Sequence, residues 1–202
     1  MFQAEYGVVI RIIRDLPDLQ EVVVQAGEET ARALNYPVLT GRIKKGDRVL
    51  LNTTAVRLQL GTGGYHFIMG IEGAGEKGVA AGGHIMKLRY TPWQIKVSAA
   101  EEEESPYHQR IKDFSSLGGI PVIIGGLHSM IAPALLAYRA LQPAPVRVAY
   151  IMTDSAALPL PFSRLVRKLK EYGLLQTTIT CGHAFGGDLE TVNFYSALAA
   201  AK

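Results

Sequence analysis

The sequence predicts an α/β chain with an all-β N-terminal part: a small β-barrel or sandwich, then a parallel, Rossmann-like α/β sheet of at least three strands. Three observations carry this reading. Up to about residue 98, short Val/Ile-rich runs recur at roughly 8–12-residue spacing, with glycine at nearly every turn. From residue 118 onward, apolar runs alternate with segments of helical period three times, as strand–helix units of a parallel sheet do. Between the two lies Glu101 to Glu104, four adjacent carboxylates with no apolar period. The predicted organisation is a β domain over 1–98, an acidic linker over 99–110 and a parallel α/β domain over 111–202.

Composition narrows the class. The chain has 202 residues, 48% of them hydrophobic, enough for a sizeable core. No window supplies the ~18 consecutive apolar residues of a membrane span. The start, MFQAEYGVVIRIIRD, lacks the basic-then-apolar pattern of a secretion signal. A single cysteine excludes an internal disulfide, so a reduced, cytoplasmic protein is expected. The net charge of +3 is too small to demand nucleic acid.

In the β part, Gly7 to Ile13 and Leu19 to Gln25 are joined through the turn signal Pro17-Asp18. A run over Thr30 to Tyr36 follows, and then Lys45-Gly46-Asp47 turns into Arg48 to Thr54. In that strand Val49, Leu51 and Thr53 point one way and Arg48, Leu50 and Asn52 the other. Tyr65 to Met69 continues the set after Gly61-Thr62-Gly63-Gly64. Gly73 to Gly78 matches G-x-G-x-x-G, but no helix-length segment follows it, so it reads as a hairpin loop rather than a dinucleotide site. His66 and His84 flank that loop about four residues out of register, roughly 13 Å at the strand rise, which argues against a shared metal. His84 to Tyr90 alternates so that Lys87 and Arg89 share a face, read as a solvated one. With Arg48 it forms the alternative, a nucleic-acid or ribosome contact on the β domain.

In the α/β part, Ile120 to Ile124 is a continuous apolar run, as in a strand buried on both faces. Leu127 to Leu141 has helical period with Pro133 in its first turn. Val146 to Met152 is the second strand. Phe162 to Tyr172 is an amphipathic helix stopped by Gly173. Thr177 to Cys181 is the third strand, and a third helix is expected from Leu189 to Ala201.

Parallel strands finish at one edge of a sheet, and ligands sit beyond that edge. The three strand-to-helix loops therefore bring His128, Ser129, Asp154, Ser155, Cys181 and His183 to one rim, with Gly125-Gly126 and Gly186-Gly187 beside them. His128, Asp154, His183 and Cys181 are the catalytic candidates. Gly125, Gly126, Ser129, Ser155, Gly186, Gly187 and Asp188 are the ligand-binding candidates. Each also has a plain structural role: Ser129 and Asp188 are good helix N-caps, the glycines permit tight turns, and a buried cysteine is commonly an inert small hydrophobe.

Three chemistries fit the set. Glycine loops entering helices offer free N–H groups to phosphate or carboxylate. His128, Asp154 and His183 are the residue types that hold a divalent metal, although no short ligand spacing supports one. Cys181 and Ser129 are candidate nucleophiles beside a histidine base, the serine version weakened by the absence of G-x-S-x-G. Anion binding needs the fewest coincidences. No motif specifies a cofactor, no metal site is assigned, and the residues fit an enzyme or a binding protein equally.

LNTTAV (Leu51 to Val56), GTGGYHF (Gly61 to Phe67), GHIMKLRYTP (Gly83 to Pro92), LHS (Leu127 to Ser129), MTD (Met152 to Asp154) and CGHAFGGDLE (Cys181 to Glu190) resemble an uncharacterised bacterial family, catalogued as domain of unknown function 3866. The resemblance carries no activity with it. Members of that family are longer and continue with further glycine-rich α/β sequence, so it implies that this chain is a fragment. The expected function is binding or turnover of an anionic or phosphate-bearing small molecule at the C-terminal edge of the α/β sheet. Expected partners are that molecule and a second copy of the chain, without a membrane, and with nucleic acid disfavoured. A third reading makes the α/β part a support for assembly.

Overall fold

The computed structural model describes residues 2–75, 83–142, 146–156 and 159–202. Contacts divide the chain into two units, Met1–Val79 and Ala80–Lys202.

The first unit is a closed five-stranded barrel built from β1 (Ala4–Asp15), β2 (Gln20–Ala26), β3 (Glu29–Asn35), β4 (Arg48–Asn52) and β5 (Tyr65–Ile71), in the order β1-β2-β3-β5-β4. Single helical turns, α1 (Pro37–Thr40) and α2 (Thr54–Arg57), follow β3 and β4. β1 closes the barrel on β4 antiparallel, and β3 and β5 form its parallel pair. Strand alternation sends Val9, Val22, Val24, Ala33, Val49, Leu51 and Ile68 inward. The predicted alternation in β4 is observed, with Val49, Leu51 and Thr53 buried. One polar group is built into this core. Gln20 Oε1 accepts from Asn35 Nδ2 at 3.0 Å and from the Ile43 amide at 2.9 Å, while its Nε2 donates to Asp15 and the Ile43 carbonyl. Buried amides with their donors and acceptors matched in this way fix the loop after α1.

The second unit contains a hairpin, β6 (Met86–Lys87) with β7 (Ile95–Lys96), and a parallel sheet of β8 (Ala149–Met152), β9 (Thr177–Cys181) and β10 (Leu189–Thr191), in the order β10-β9-β8. Its helices are α3 (His108–Lys112), α4 (Ile131–Leu141), α5 (Arg164–Glu171) and α6 (Phe194–Ala201). Ile151, Ile179 and Leu189 stand in register across the sheet and pack with Ala197 and Ala200 of α6. Tyr150 and Met152 alternate to the other face and pack with Leu135 of α4 and Val166 and Leu169 of α5. Helices thus cover both faces of a Rossmann-like sheet. The start of α5 is fixed by Ser163, whose hydroxyl accepts from the Val166 amide, and its end by Gly173 at φ 65°.

Several expectations are corrected. Ile120 to Ile124 is not a strand: it has no ladder partners, and Ile124 is 86% exposed. The third parallel strand is β10, inside the segment expected as the third helix, which starts only at Phe194 behind the cap Asn193. Parallel neighbours ordinarily need a crossover of a dozen or more residues. Here residues 182–188 suffice, because β10 begins opposite Ile179 and the chain retreats only part of a strand length. The hairpin over 83–97, expected with the barrel, belongs to the second unit. The acidic segment is packed rather than a free linker. Ala99 bridges to Glu190, and the buried Glu102 carboxylate accepts from the His84 and Ile85 amides, each at 2.8 Å. Most of the glycine loop over 73–83 falls at 76–82, outside the described residues.

Candidate functional site

A cavity of about 490 Å³ opens beyond the carboxyl ends of the three parallel strands. Each strand contributes the residue or two that follow its end: Asp154 after β8, Gly182 and His183 after β9, and Val192 after β10. The β6 side supplies His84, Ile85, Met86, Lys87 and Arg89.

The loop between β9 and β10 is held from beneath by Lys87, only 1% exposed, whose ammonium donates to the Thr180 carbonyl at 2.9 Å, the Ala184 carbonyl at 2.5 Å and Glu190 Oε2 at 2.5 Å. Glu190 in turn accepts from the Thr180 hydroxyl at 2.6 Å and the Gly186 amide at 2.7 Å. A buried charge is tolerable only when matched this fully. From above, Asp154 Oδ1 accepts from the His183 and Ala184 amides. Gly182, at φ 64°, allows this: a Cβ there would lie 1.9 Å from Asp154 Oδ2. The Leu88 amide donates to His183 Nδ1 at 3.0 Å, so the neutral ring carries its proton on Nε2. Arg89 sits between Leu88 at φ 53° and Tyr90 at φ 65°, two of the three non-glycine residues with positive φ among those described. Its guanidinium has no hydrogen bond or ion pair among the described residues.

The predicted candidates separate into groups. Asp154 and His183 come together at the cavity. Cys181 ends β9 beneath it, buried, with its thiol against the Met152 carbonyl; burial, then the nearby Asp154 charge, push that thiol up and leave it a poor nucleophile. His128 is not part of the cavity lining. Its Nε2 lies 2.7 Å from Ser163 Oγ and its Nδ1 2.8 Å from Tyr150 Oη, and burial lowers its basicity. Gly125, Gly126 and Ser129 flank it, exposed, and Ser129 caps no helix. Ser155 is exposed in the turn after β8. Gly186 and Gly187 pack against Pro161 and Thr180, where a side chain would clash. Asp188 is not an N-cap. Its carboxylate accepts from the Thr178 amide and hydroxyl and from Lys170. Burial alone would raise it, but the Lys170 and Thr178 bonds win and hold it below the usual range.

Lys87, Arg89, His84 and Glu190 were not expected at the site. The alternation that put Lys87 and Arg89 on one face was legible, but not that Lys87 points inward. The three-residue basic face on the barrel is absent too: Arg48 stacks over Tyr6 and pairs with Glu72, while Lys87 and Arg89 belong to the second unit. Among the described residues no three His, Cys, Asp or Glu side chains gather as a metal requires, and no helix is long and apolar enough to cross a membrane.

A barrel followed by a parallel α/β sheet with a cavity past its strand ends is a generic ligand-binding architecture. The family described as "Protein of unknown function (DUF3866)" matches residues 32–202, and the chain belongs to it. No curated protein and no solved structure matches the chain.

Proposed function

We propose that the second unit binds a small anionic molecule in the cavity beyond β8, β9 and β10, with Arg89 and the Nε2–H of His183 as the groups that hold it. The observation that carries this reading is Arg89: a guanidinium without an ionic partner among the described residues, in a cavity formed by the residues that follow all three parallel strands. The charge of Lys87 is matched by Glu190 inside the fold, so it supports the loop rather than the ligand. The left-handed backbone at Leu88 and Tyr90 favours the same place, since such strain of about 1–3 kcal/mol per residue collects where a side chain must be aimed. Asp154 fixes the His183 amide and leaves Oδ2 as an acceptor for a hydroxyl or amine of the ligand. Titration of the full chain with inorganic phosphate, followed by amide chemical shifts, tests it. The expected result is saturable shifts at 88–90 and 182–184, abolished in Arg89→Ala and weakened at least about tenfold in His183→Ala. Shifts spread over exposed lysines, or shifts unchanged in Arg89→Ala, would count against the reading.

A further inference from the structure

We propose that residues 120–124 are the centre of an interface between two copies of this chain, in which the two segments pair as antiparallel β-strands about a two-fold axis. The segment has the composition of a buried strand and the surroundings of none. Ile120, Val122, Ile123, Ile124, Leu127 and Met130 are 46–86% exposed. From Pro121 to Gly126 the backbone makes no hydrogen bond among the described residues. A run with unpaired backbone N–H and C=O groups and β-branched side chains is a template for another strand.

The segment is also held ready. Its start is fixed on the α6 layer, where Lys202 Nζ donates to the Ser116 carbonyl at 2.8 Å. Its end is fixed on the opposite layer, where His128 meets Tyr150 and Ser163. Glycine pairs, Gly118-Gly119 and Gly125-Gly126, bound the run and let it settle into register. Anchored at both ends, it loses less chain entropy on pairing than a free tail does. Pro121 lies at its beginning, where a missing N–H is tolerated.

A second copy fits this surface better than a different partner does. Residues 114–138 contain no Asp, Glu, Lys or Arg. The segment itself therefore offers no charge for a charged protein or nucleic acid to recognise, and the charge beside its start, Lys202, is engaged with the Ser116 carbonyl. Pairing a segment with itself is isologous and closes after two chains. The six exposed side chains would form the apolar centre of an interface, of which a stable one buries roughly 800 Å² per partner. They exceed the scattered apolar exposure normal for a monomer.

The test is the mass of the full chain by light scattering across a concentration series, with hydrogen exchange read in parallel. The expected result is a concentration-dependent dimer in which the amides of Val122, Ile123 and Ile124 exchange slowly. In the double variant Ile123→Lys/Ile124→Lys the dissociation constant should rise by at least about a hundredfold and that protection should vanish. Both side chains are exposed, so far-ultraviolet dichroism and Trp93 fluorescence should match the parent. A monomer at every concentration overturns the proposal, as does a dimer that survives the double substitution. Protection at 122–124 that is independent of concentration also overturns it, because the segment then pairs within its own chain.

Discussion

The ammonium of Lys87 lies 2.5 Å from Glu190 Oε2, joining β6 to β10 across 103 residues of sequence. Both groups are largely out of water, and Lys87 has two further carbonyl acceptors. Removing one member of such a pair strands the other, at a cost of about 3–5 kcal/mol. Lys87→Met should therefore lower the urea midpoint of the second unit. The change is read from Trp93, which is the chain's one tryptophan and lies in that unit. The double variant Lys87→Met/Glu190→Gln should lose less than the two single losses added together. Strict additivity would show that Lys87 acts through packing alone.

Gly182→Ala should separate folding from binding. Its Cβ would meet Asp154 Oδ2 at 1.9 Å, and φ 64° is unfavourable for alanine by about 1–2 kcal/mol. Asp154 must then leave the His183 and Ala184 amides. The loop should loosen, with faster exchange at those two amides, and phosphate binding should fall. Gly126→Ala is the control: nothing lies within 4 Å of its added carbon, and both readouts should stay at the parent values.

Much of this architecture was legible in the chain, for local reasons. Period-two alternation marked Arg48 to Thr54, glycine and proline punctuated the barrel turns, and the amphipathic stripe through Val166 and Leu169 marked α5. The residues that misled did so because their state is set by distant partners. Ile120 to Ile124 has strand composition, but composition does not supply a ladder neighbour. Leu189 to Thr191 is too short to show a period and is a strand only because β9 lies beside it. Lys87 reads as a surface lysine until Thr180, Ala184 and Glu190 are seen around it. For the site, the rule that parallel strands end together puts Asp154 and His183 on one rim, and both line the cavity. It misplaced His128, because the strand supposed to precede that residue does not form.

Cys181 gives a chemical check on that separation. The thiol is buried, faces the Met152 carbonyl, and is pushed up by burial and by Asp154. In the folded chain it should resist iodoacetamide at neutral pH over hours, and it should react promptly in urea. Rapid labelling of the native protein, suppressed by phosphate, would restore it as a nucleophile of the cavity.

His128 predicts a pH dependence whose sign is fixed. Burial lowers its pKa from the ordinary 6.5, while the unfolded chain keeps about that value. As pH falls through 6.5, the unfolded state takes up a proton before the folded state does, so stability declines. The contribution is complete above the unfolded value, shrinks as pH drops toward the folded value, and is constant below it. The neighbours act in the same direction. Ser163 already accepts the Val166 amide and Tyr150 Oη faces Nδ1, so no carboxylate stands ready among His128's hydrogen-bond partners for an imidazolium. The urea midpoint of the second unit, followed at Trp93, should therefore fall between about pH 7 and pH 5 in the parent and fall less in His128→Gln. The difference between the two isolates His128 from the other titrating groups. A parent midpoint that rises on acidification relative to His128→Gln would mean that the folded ring is the more basic form, and the Ser163–His128–Tyr150 contact would have to be charged.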